Sequence, residues 1–462
     1  MKFSKYNFYT YDHEGNLILY NFLIGIPSLI KIMQKDVNKF KQIFLTDSEI
    51  PVTVIKGFKE TTDVLLKLGL IVDSDVDENV IYEAKLYDEI FDSKLQLTVF
   101  PTGKCNFNCP YCFETPQLFS RESMSKASQN ALLKYIQKNI PYHRALHISW
   151  FGGEPLLSPE IIVRLSEKFI QICNTRHLPY SANMTTNGYL LNLDVFDMLY
   201  KLKVYDYMIT IDGPKELHDK RRITSDGKGS YDVIINNLLK IKDNKQYKFA
   251  NVMIRINMSQ GFLEKLDDFL QFLGLSFGDD PRFKFMFVPV VKFEGSKFSD
   301  SNIYKDHKQL FSKLSKNEMY VKKLNYSGMK LNSIISCKKC PAALKNAYVI
   351  TPDLNVYKCN AHYDFEVNKI GNINTQGDLL IDEALHRKWY LTSKLIRKIP
   401  DTCYECAYSP CCCNINSGCP VSYLKKTPDE HLCPMEDTKQ KEHIVDTILY
   451  AANNYSCTTL NL

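Results

Sequence analysis

From Leu95 to about Pro289, short β-branched or aromatic runs alternate with stretches of helical periodicity, and no other feature constrains the fold as tightly. The predicted strands are Leu95 to Phe100, Leu146 to Phe151, Tyr180 to Thr185, Tyr205 to Asp212, Phe249 to Asn257 and Phe283 to Val290. Helical patterns lie between them. In Ser123 to Lys138, for example, Met124, Ala127, Ala131, Leu132, Tyr135 and Ile136 share one face. Six such βα units predict an α/β fold with a parallel sheet, a partial (β/α)6 TIM-like barrel rather than a closed eight-stranded one. Chemistry in these sheets sits at the carboxyl ends of the strands, and each motif below begins at or just beyond such an end.

The flanks read differently. Tyr6 to Tyr11 and Asn16 to Asn21 flank Asp12-His13-Glu14-Gly15, a hairpin signal. Two helical patterns follow, ending near Leu68-Gly69, and then a short strand, Leu70 to Asp73. Hairpin, helices and strand resemble a small winged-helix unit over residues 1–80. The acidic stretch from Asp73 to Asp92 reads as an irregular linker, leading into a core at 93–295. A polar bridging segment (296–336), a cysteine-rich region (337–440) and a C-terminal helix and tail (441–462) complete the expected organisation.

Composition excludes several classes. Of 462 residues, 45% are apolar and 24% charged, which is ordinary for a globular chain and unlike a disordered, collagen-like or coiled-coil protein. The longest uncharged apolar-leaning stretch, Leu17 to Ile30, contains Asn21, Gly25 and Pro27 and is too short for a membrane helix, which needs about 20 residues. The opening Met1 to Asn7 has no apolar run before Asp12 and so does not read as a secretory signal; the cytoplasm is the expected compartment. A net charge of +6 on 58 basic and 52 acidic residues favours no anionic partner, so neither nucleic acid nor membrane is expected.

Cysteine usage is the unusual part. Fifteen are present, with Cys105, Cys109 and Cys112 in one group and ten more between Cys337 and Cys433; Cys173 and Cys457 stand apart. Clustered thiols in a reducing compartment read as metal ligands. Cys105-Asn106-Phe107-Asn108-Cys109-Pro110-Tyr111-Cys112 follows the first strand and its Pro101 to Lys104 turn. Three thiolates on one loop can hold three irons of a cubane cluster and leave the fourth open to a non-protein ligand. Zinc is the rival, but no His follows at zinc-finger distance.

This Cys-x3-Cys-x2-Cys run, with an aromatic before its last cysteine, resembles the signature of radical S-adenosylmethionine (SAM) enzymes. The resemblance implies that the open iron is chelated by the amino and carboxylate groups of SAM, which is cleaved to a 5'-deoxyadenosyl radical, and that Tyr111 lies near the adenine. Trp150-Phe151-Gly152-Gly153-Glu154-Pro155 is similar to the family's Gly-Gly-Glu motif, which contacts the SAM amino group; two glycines also let a backbone approach a ligand closely. Thr185-Thr186-Asn187-Gly188 and Ile209-Thr210-Ile211-Asp212-Gly213-Pro214, with His218-Asp219 and Arg222 after it, resemble segments that line the SAM pocket. Thr210 stands where the family usually has Ser. Arg255 and Asn257 are looser candidates for the SAM carboxylate and ribose. For Arg255, Asn257 and Asp212 the alternative is a turn residue or a hydrogen-bonder at the core edge.

The later cysteines resemble the SPASM extension, which holds two auxiliary [4Fe-4S] clusters and, with the first, implies three. Motif matching assigns Cys340, Cys359 and Cys419, with Cys337 as a further candidate, to one auxiliary cluster, and Cys403, Cys406, Cys412 and Cys433 to the other. The pattern departs in lacking the usual Gly before Cys359, in the six-residue gap between Cys412 and Cys419, and in the run Cys411-Cys412-Cys413, which leaves that ligand's register open. Paired zinc knuckles are the alternative.

A winged-helix-like unit ahead of such an enzyme resembles the element that binds leader peptides of ribosomally made, modified peptides, by strand addition to a sheet edge. DNA binding is the rival for that unit, yet residues 1–80 hold nine Lys, no Arg and eleven acidic residues, a net of −2; a merely structural cap is the other. The whole resemblance implies a peptide maturase forming a thioether crosslink, of the ranthipeptide (SCIFF) type, with flavodoxin or ferredoxin as electron donor. Carbon-carbon crosslinking, epimerisation, an anaerobic sulfatase-maturing enzyme and a non-catalytic metal scaffold are the alternatives. No Asp or Glu has a spacing that marks it as a general base.

Overall fold

The computed structural model describes residues 1–45, 49–112, 114, 121–259, 261–290, 339–391 and parts of 403–460. Two compact units emerge, one of residues 1–92, 330–345 and 387–462, the other of 93–329 and 346–386.

The N-terminal unit begins with β1 (Lys2–Phe3), β2 (Asn7–Tyr11), β3 (Leu17–Asn21) and β4 (Ile30–Ile32). The expected hairpin joins β2 to β3. Its turn is held by the Asp12 carboxylate, which accepts from the Glu14 and Asn16 amides, while Gly15 supplies a φ of 78°. Three helices follow, α1 (Val37–Phe44), α2 (Val52–Gly57) and α3 (Lys59–Lys67), then β5 (Ile71–Val72), paired with β1. Leu17, Leu19, Ile30, Ile32, Phe40, Phe44 and Leu65 form their shared core.

Residues 78–90 correct the expected irregular linker, for they form helix α4 (Glu78–Ile90). Asp77 caps it by accepting from the Asn79 amide, and Tyr82, Leu86 and Ile90, four apart, bury one face. Leu86 and Ile90 pack with Tyr390.

In the second unit all six predicted strands form, each within about two residues of its expected bounds: β6 (Lys94–Val99), β7 (Ala145–Trp150), β8 (Tyr180–Thr186), β9 (Val204–Ile211), β10 (Asn251–Met258) and β11 (Phe283–Pro289). They pair in parallel with their sequence neighbours, and helices α5 (Lys126–Asn139), α6 (Pro159–Thr175), α7 (Leu193–Lys201), α8 (Lys215–Asp219), α9 (Tyr231–Asp243) and α10 (Leu266–Phe277) lie between them in sequence. Alternation sets the two faces: Leu95, Leu97, Leu146, Ile148, Ile209 and Ile254 are buried, whereas Gln96, Thr98, Ser149, Thr210 and Arg255 point to a half-exposed face. This is an α/β fold on a large parallel sheet.

The sheet then continues beyond β6. β12 (Ala347–Ile350) pairs parallel to it, and β13 (Asn355–Tyr357), β14 (Lys369–Ile373) and β15 (Leu379–Ile381) extend it antiparallel. The hairpin between β12 and β13 turns through Leu354, at φ 65°, and delivers the chain to Cys359. The expected tail at 441–462 is more than helix and coil: β16 (Thr458–Leu460) pairs parallel to β4 in the first unit, giving the sheet order β16-β4-β3-β2. The bridging segment expected at 296–336 lies outside the described residues. No described helix is long and apolar enough to cross a membrane.

Candidate functional site

The loop after β6 carries Cys105, Cys109 and Cys112. It is strapped on one side by a bridge between Phe107 and Thr224, by the Asn108 amide donating to the Ile223 carbonyl (2.8 Å), and by the Ser225 amide donating to the Asn106 carbonyl (2.8 Å). Burial pushes the Cys105 thiol up to about 12 and the Cys112 thiol to about 11, and raises Cys109 as well; Glu154 and Glu114 add to the rise at Cys105 and Cys112, as does the neighbouring Cys109. Bare thiolates are disfavoured there, so a cation taken up by these sulfurs would have to displace their protons. Among the described residues no three Cys, His, Asp or Glu side chains are gathered closely enough to hold a metal ion as they stand. A cubane takes each thiolate on a different iron, and three cysteines on one loop are the donors it would need.

Gly152, Gly153 and Glu154 follow β7. Their glycines allow a close approach within the chain itself. A Cβ on Gly153 would lie 2.3 Å from the Lys104 carbonyl oxygen, and one on Gly152 would lie 2.5 Å from that of Thr102. The close approach is to the turn preceding Cys105, and the Glu154 amide donates to the Lys104 carbonyl at 2.8 Å. The Glu154 carboxylate is fully buried. Its Oε1 accepts from Thr186 Oγ1 (2.7 Å) and the Leu156 amide (3.0 Å), and its Oε2 from the Asn187 amide (2.7 Å). Burial raises its pKa against these donors. A carboxylate has about four acceptor sites, so Oε2 retains capacity for a further donor. Asn187 closes the brace, its Nδ2 donating to Asn106 Oδ1 at 2.7 Å.

Asp212, beyond β9, is also fully buried. It accepts from Tyr111 OH (2.5 Å) and Asn257 Nδ2 (3.1 Å), and Arg222 donates to the same tyrosine oxygen (2.9 Å). Tyr111 is therefore tied to Asp212 and Arg222. Burial raises the Asp212 carboxyl, with the Arg222 charge opposing. His218 Nδ1 accepts the Asp212 amide (3.2 Å) and Nε2 faces Ser230 Oγ (3.0 Å); burial, aided by Arg222, lowers its pKa to about 3. Arg255 donates to Asn257 Oδ1 (3.0 Å), and Thr210 lies beside Arg255 across the β9–β10 ladder. The structure thus joins Tyr111, Asp212, Arg222, Asn257 and Arg255 in one network.

Of the later cysteines, Cys359 is buried, and Asn368 fixes its loop: Oδ1 accepts its amide (2.7 Å) while Nδ2 donates to the carbonyls of Cys359 and His362. Cys403 is buried and Cys340 and Cys406 are partly buried. Cys337, Cys412, Cys419 and Cys433 lie outside the described residues. Cys457 sits apart, its Sγ 3.6 Å from the Leu29 carbonyl.

Three residues escaped the sequence reading. Asn106 completes the Asn187 brace, and Thr102, fully buried, accepts from the Lys104 amide at the turn. Nothing in their spacing marks them. Glu114, two residues past Cys112, is buried, with the pKa of its carboxyl raised to about 8 mainly by burial, Arg121 opposing and Glu154 adding.

Residues 99–273 match the model of the radical SAM superfamily. A radical SAM cyclopropyl synthase, TigE of Paramaledivibacter caminithermalis, is 30% identical over 191 residues, which is 38% of this chain and 38% of that protein's own length. A cysteine-type anaerobic sulfatase-maturating enzyme of Clostridium novyi is 27% identical over 349 residues, 69% of this chain and 85% of that one. Among solved structures, anSMEcpe with bound AdoMet and Kp18Cys peptide aligns with a TM-score of 0.59 at 18% identity, covering 78% of this chain and 100% of that one. Streptococcus suis SuiB bound to precursor peptide SuiA aligns with a TM-score of 0.50 at 16% identity, covering 94% and 98%. At such identities the two structures speak to the fold.

Proposed function

We propose that this chain, whose residues 99–273 match the radical SAM superfamily, an enzyme family that works with a [4Fe-4S] cluster and SAM, is a peptide maturase that forms a thioether crosslink in a ribosomally made precursor. The observation that carries the reading is the pairing of a cluster loop braced to Glu154 with a second cysteine-rich region whose described members Cys359 and Cys403 are buried. Support for a peptide substrate comes from the peptides named with anSMEcpe and SuiB.

In this reading the six βα units are a partial barrel, residues 1–80 a winged-helix-like leader-recognition element, and 337–440 a SPASM region with two auxiliary clusters. Cys105, Cys109 and Cys112 would hold three irons of the SAM cluster. The Glu154 carboxylate would take the SAM ammonium at Oε2, and Thr186 and Asn187 keep it oriented. Arg255 would take the SAM carboxylate and Asn257, which donates to Asp212, the ribose, with Thr210 beside Arg255 lining the same pocket. Cys340, Cys359, Cys419 and Cys337 would hold one auxiliary cluster, and Cys403, Cys406, Cys412 and Cys433 the other. When bound, cluster and SAM supply a carbon radical that abstracts hydrogen; the protein positions the peptide and excludes water. A flavodoxin or ferredoxin would deliver the electron.

The test is high-resolution mass spectrometry of a cysteine-containing precursor after anaerobic incubation with enzyme, SAM and reductant. Loss of two hydrogens per event, with no thiol left to alkylate, is expected. An unchanged mass with deuterium uptake from heavy water means epimerisation and overturns the thioether reading. The Clostridium novyi relative favours a second reading, sulfatase maturation. There a short cysteine peptide would gain an aldehyde that a hydrazide traps.

A further inference from the structure

The edge of β4 is occupied by the chain's own strand β16, and the manner of occupation describes a ligand. Thr458 pairs with Ile30, Thr459 with Lys31 and Leu460 with Ile32, and the Thr458 amide donates to the Leu29 carbonyl at 3.2 Å. Leu460 is buried in the core formed by Ile30, Ile32, Val37, Phe40 and Phe44, whereas Thr458 and Thr459 stay exposed. On the opposite side of β4 the Lys31 ammonium is held by Asp12 at 2.8 Å and Glu14 at 3.6 Å. The edge therefore offers a backbone ladder, one apolar socket and a charged outer flank.

The hold is slight for an integral strand. Among the described residues three pair, Leu460 anchors them in one core while Cys457, just before them, packs beside Leu29 in another, and parallel ladders are slightly less stable per residue than antiparallel ones. A longer strand with the same apolar anchor makes more ladder bonds at the same edge, and an antiparallel one makes slightly stronger ones.

We propose that β16 is an exchangeable occupant of a peptide-binding edge on β4, standing in for an extended peptide that inserts a branched apolar side chain where Leu460 now sits. This rests on the reading of the first unit as a peptide-recognition element. The precursor's leader is the partner meant, and it must displace β16 to dock. A strand that merely shields an edge is the competing account.

The probe is a fluorescein-labelled synthetic peptide copying residues 453–462, with Cys457→Ser to prevent disulfides. Its binding is followed by anisotropy with reconstituted full-length wild type, with Leu460→Asp, and with a chain whose residues 457–462 are replaced by glycine and serine. A tethered competitor acts at about millimolar effective concentration, so both variants should bind the probe roughly tenfold or more tightly than wild type does. A probe with Asp at the Leu460 position should bind none of them. Equal affinity for wild type and variants, or no binding to any, overturns the proposal. So does loss of the cooperative thermal transition in both variants, since β16 is then an integral part of the fold. SAM cleavage measured on the same samples without peptide tests the enzymatic reading separately. Folded, SAM-cleaving variants that ignore the probe sink the exchange alone, while probe binding without SAM cleavage sinks the enzymatic reading alone.

Discussion

Gly153→Ala tests the brace between the Gly-Gly-Glu turn and the cluster loop. The added Cβ would meet the Lys104 carbonyl oxygen at 2.3 Å, the Lys104 carbonyl carbon at 2.6 Å and the Gly103 oxygen at 2.7 Å. All three are backbone atoms, so no side chain can swing aside and the chain itself must move by about 1 Å to reach ordinary contact. Overpacking of this kind costs about 1–3 kcal/mol. The Glu154 amide would also lose its 2.8 Å bond to Lys104, worth a further ~0.5–1.5 kcal/mol. The sum, roughly 2–4 kcal/mol, corresponds to a fall of about 5–15 °C in Tm for a unit of this size. Lys104 precedes Cys105, so the same displacement should lower iron retention after anaerobic reconstitution. Anaerobic thermal melts of the apo chain and iron analysis of the reconstituted one read both effects. Gly57→Ala is the control, for a Cβ there meets nothing within 4 Å. If Gly153→Ala melts within a degree of wild type and holds its full iron, the stapling argument is wrong.

Glu154→Gln should weaken SAM binding by about 10- to 100-fold, since an amide nitrogen replaces an acceptor among three donors and the charge is lost; equilibrium dialysis with labelled SAM measures it, and unchanged affinity would remove Glu154 from the SAM site. Cys403→Ala should lower iron by about four of roughly twelve per chain while SAM is still cleaved, whereas Cys105→Ala should abolish cleavage. Retained cleavage in Cys105→Ala would refute the ligand assignment. His218 is neutral in the fold because burial, then Arg222, depress its pKa from 6.5 to about 3. Its stabilising contribution is whole above pH 6.5 and is lost as pH falls from there toward 3, at up to about 1.4 kcal/mol per pH unit. His147, lowered to about 4, and His143, also lowered, act in the same direction. Between pH 6.5 and 4.5 the Tm of His218→Asn should therefore fall less steeply than that of wild type, and parallel slopes would contradict the burial argument.

The strands were legible because β-branched runs between helical patterns fix both type and order, and β6 to β11 formed where they were expected. α4 was legible too. Asp77 has the side chain of a cap, and Tyr82, Leu86 and Ile90 carry the spacing, but the acidic run before them masked the pattern. β16 was not, since Thr-Thr-Leu has no periodicity to read and its partner β4 lies more than 400 residues earlier, as the Cys457–Leu29 separation of 428 shows. Asn106 was invisible for a related reason, since its side chain accepts from Asn187, 81 residues on, which only the fold brings near; Thr102 bonds locally to the Lys104 amide, and a lone Thr in a turn carries no signal.

The glycines carry the broader point. Read alone, Gly152-Gly153 suggests room for a ligand, and the structure adds that the Thr102 and Lys104 carbonyls need room there too. That close approach sets Glu154 behind the turn leading to Cys105, and Asn187 then binds both Glu154 and Asn106. The turn leading to Cys105 and the Glu154 carboxylate are thereby tied together, and if they hold cluster and ammonium as proposed, a positioned carboxylate is worth more to a bound cation than one that must reorganise. It follows that Asn187→Ala, which keeps every first ligand in place, should weaken SAM binding through Asn106 while leaving iron content intact. Its affinity should be restored in part by Asn187→Asp when paired with Asn106→Asp at a pH low enough to share one proton between the carboxyls. Loss of iron together with SAM affinity in Asn187→Ala would instead mean that the brace supports the cluster loop as a whole.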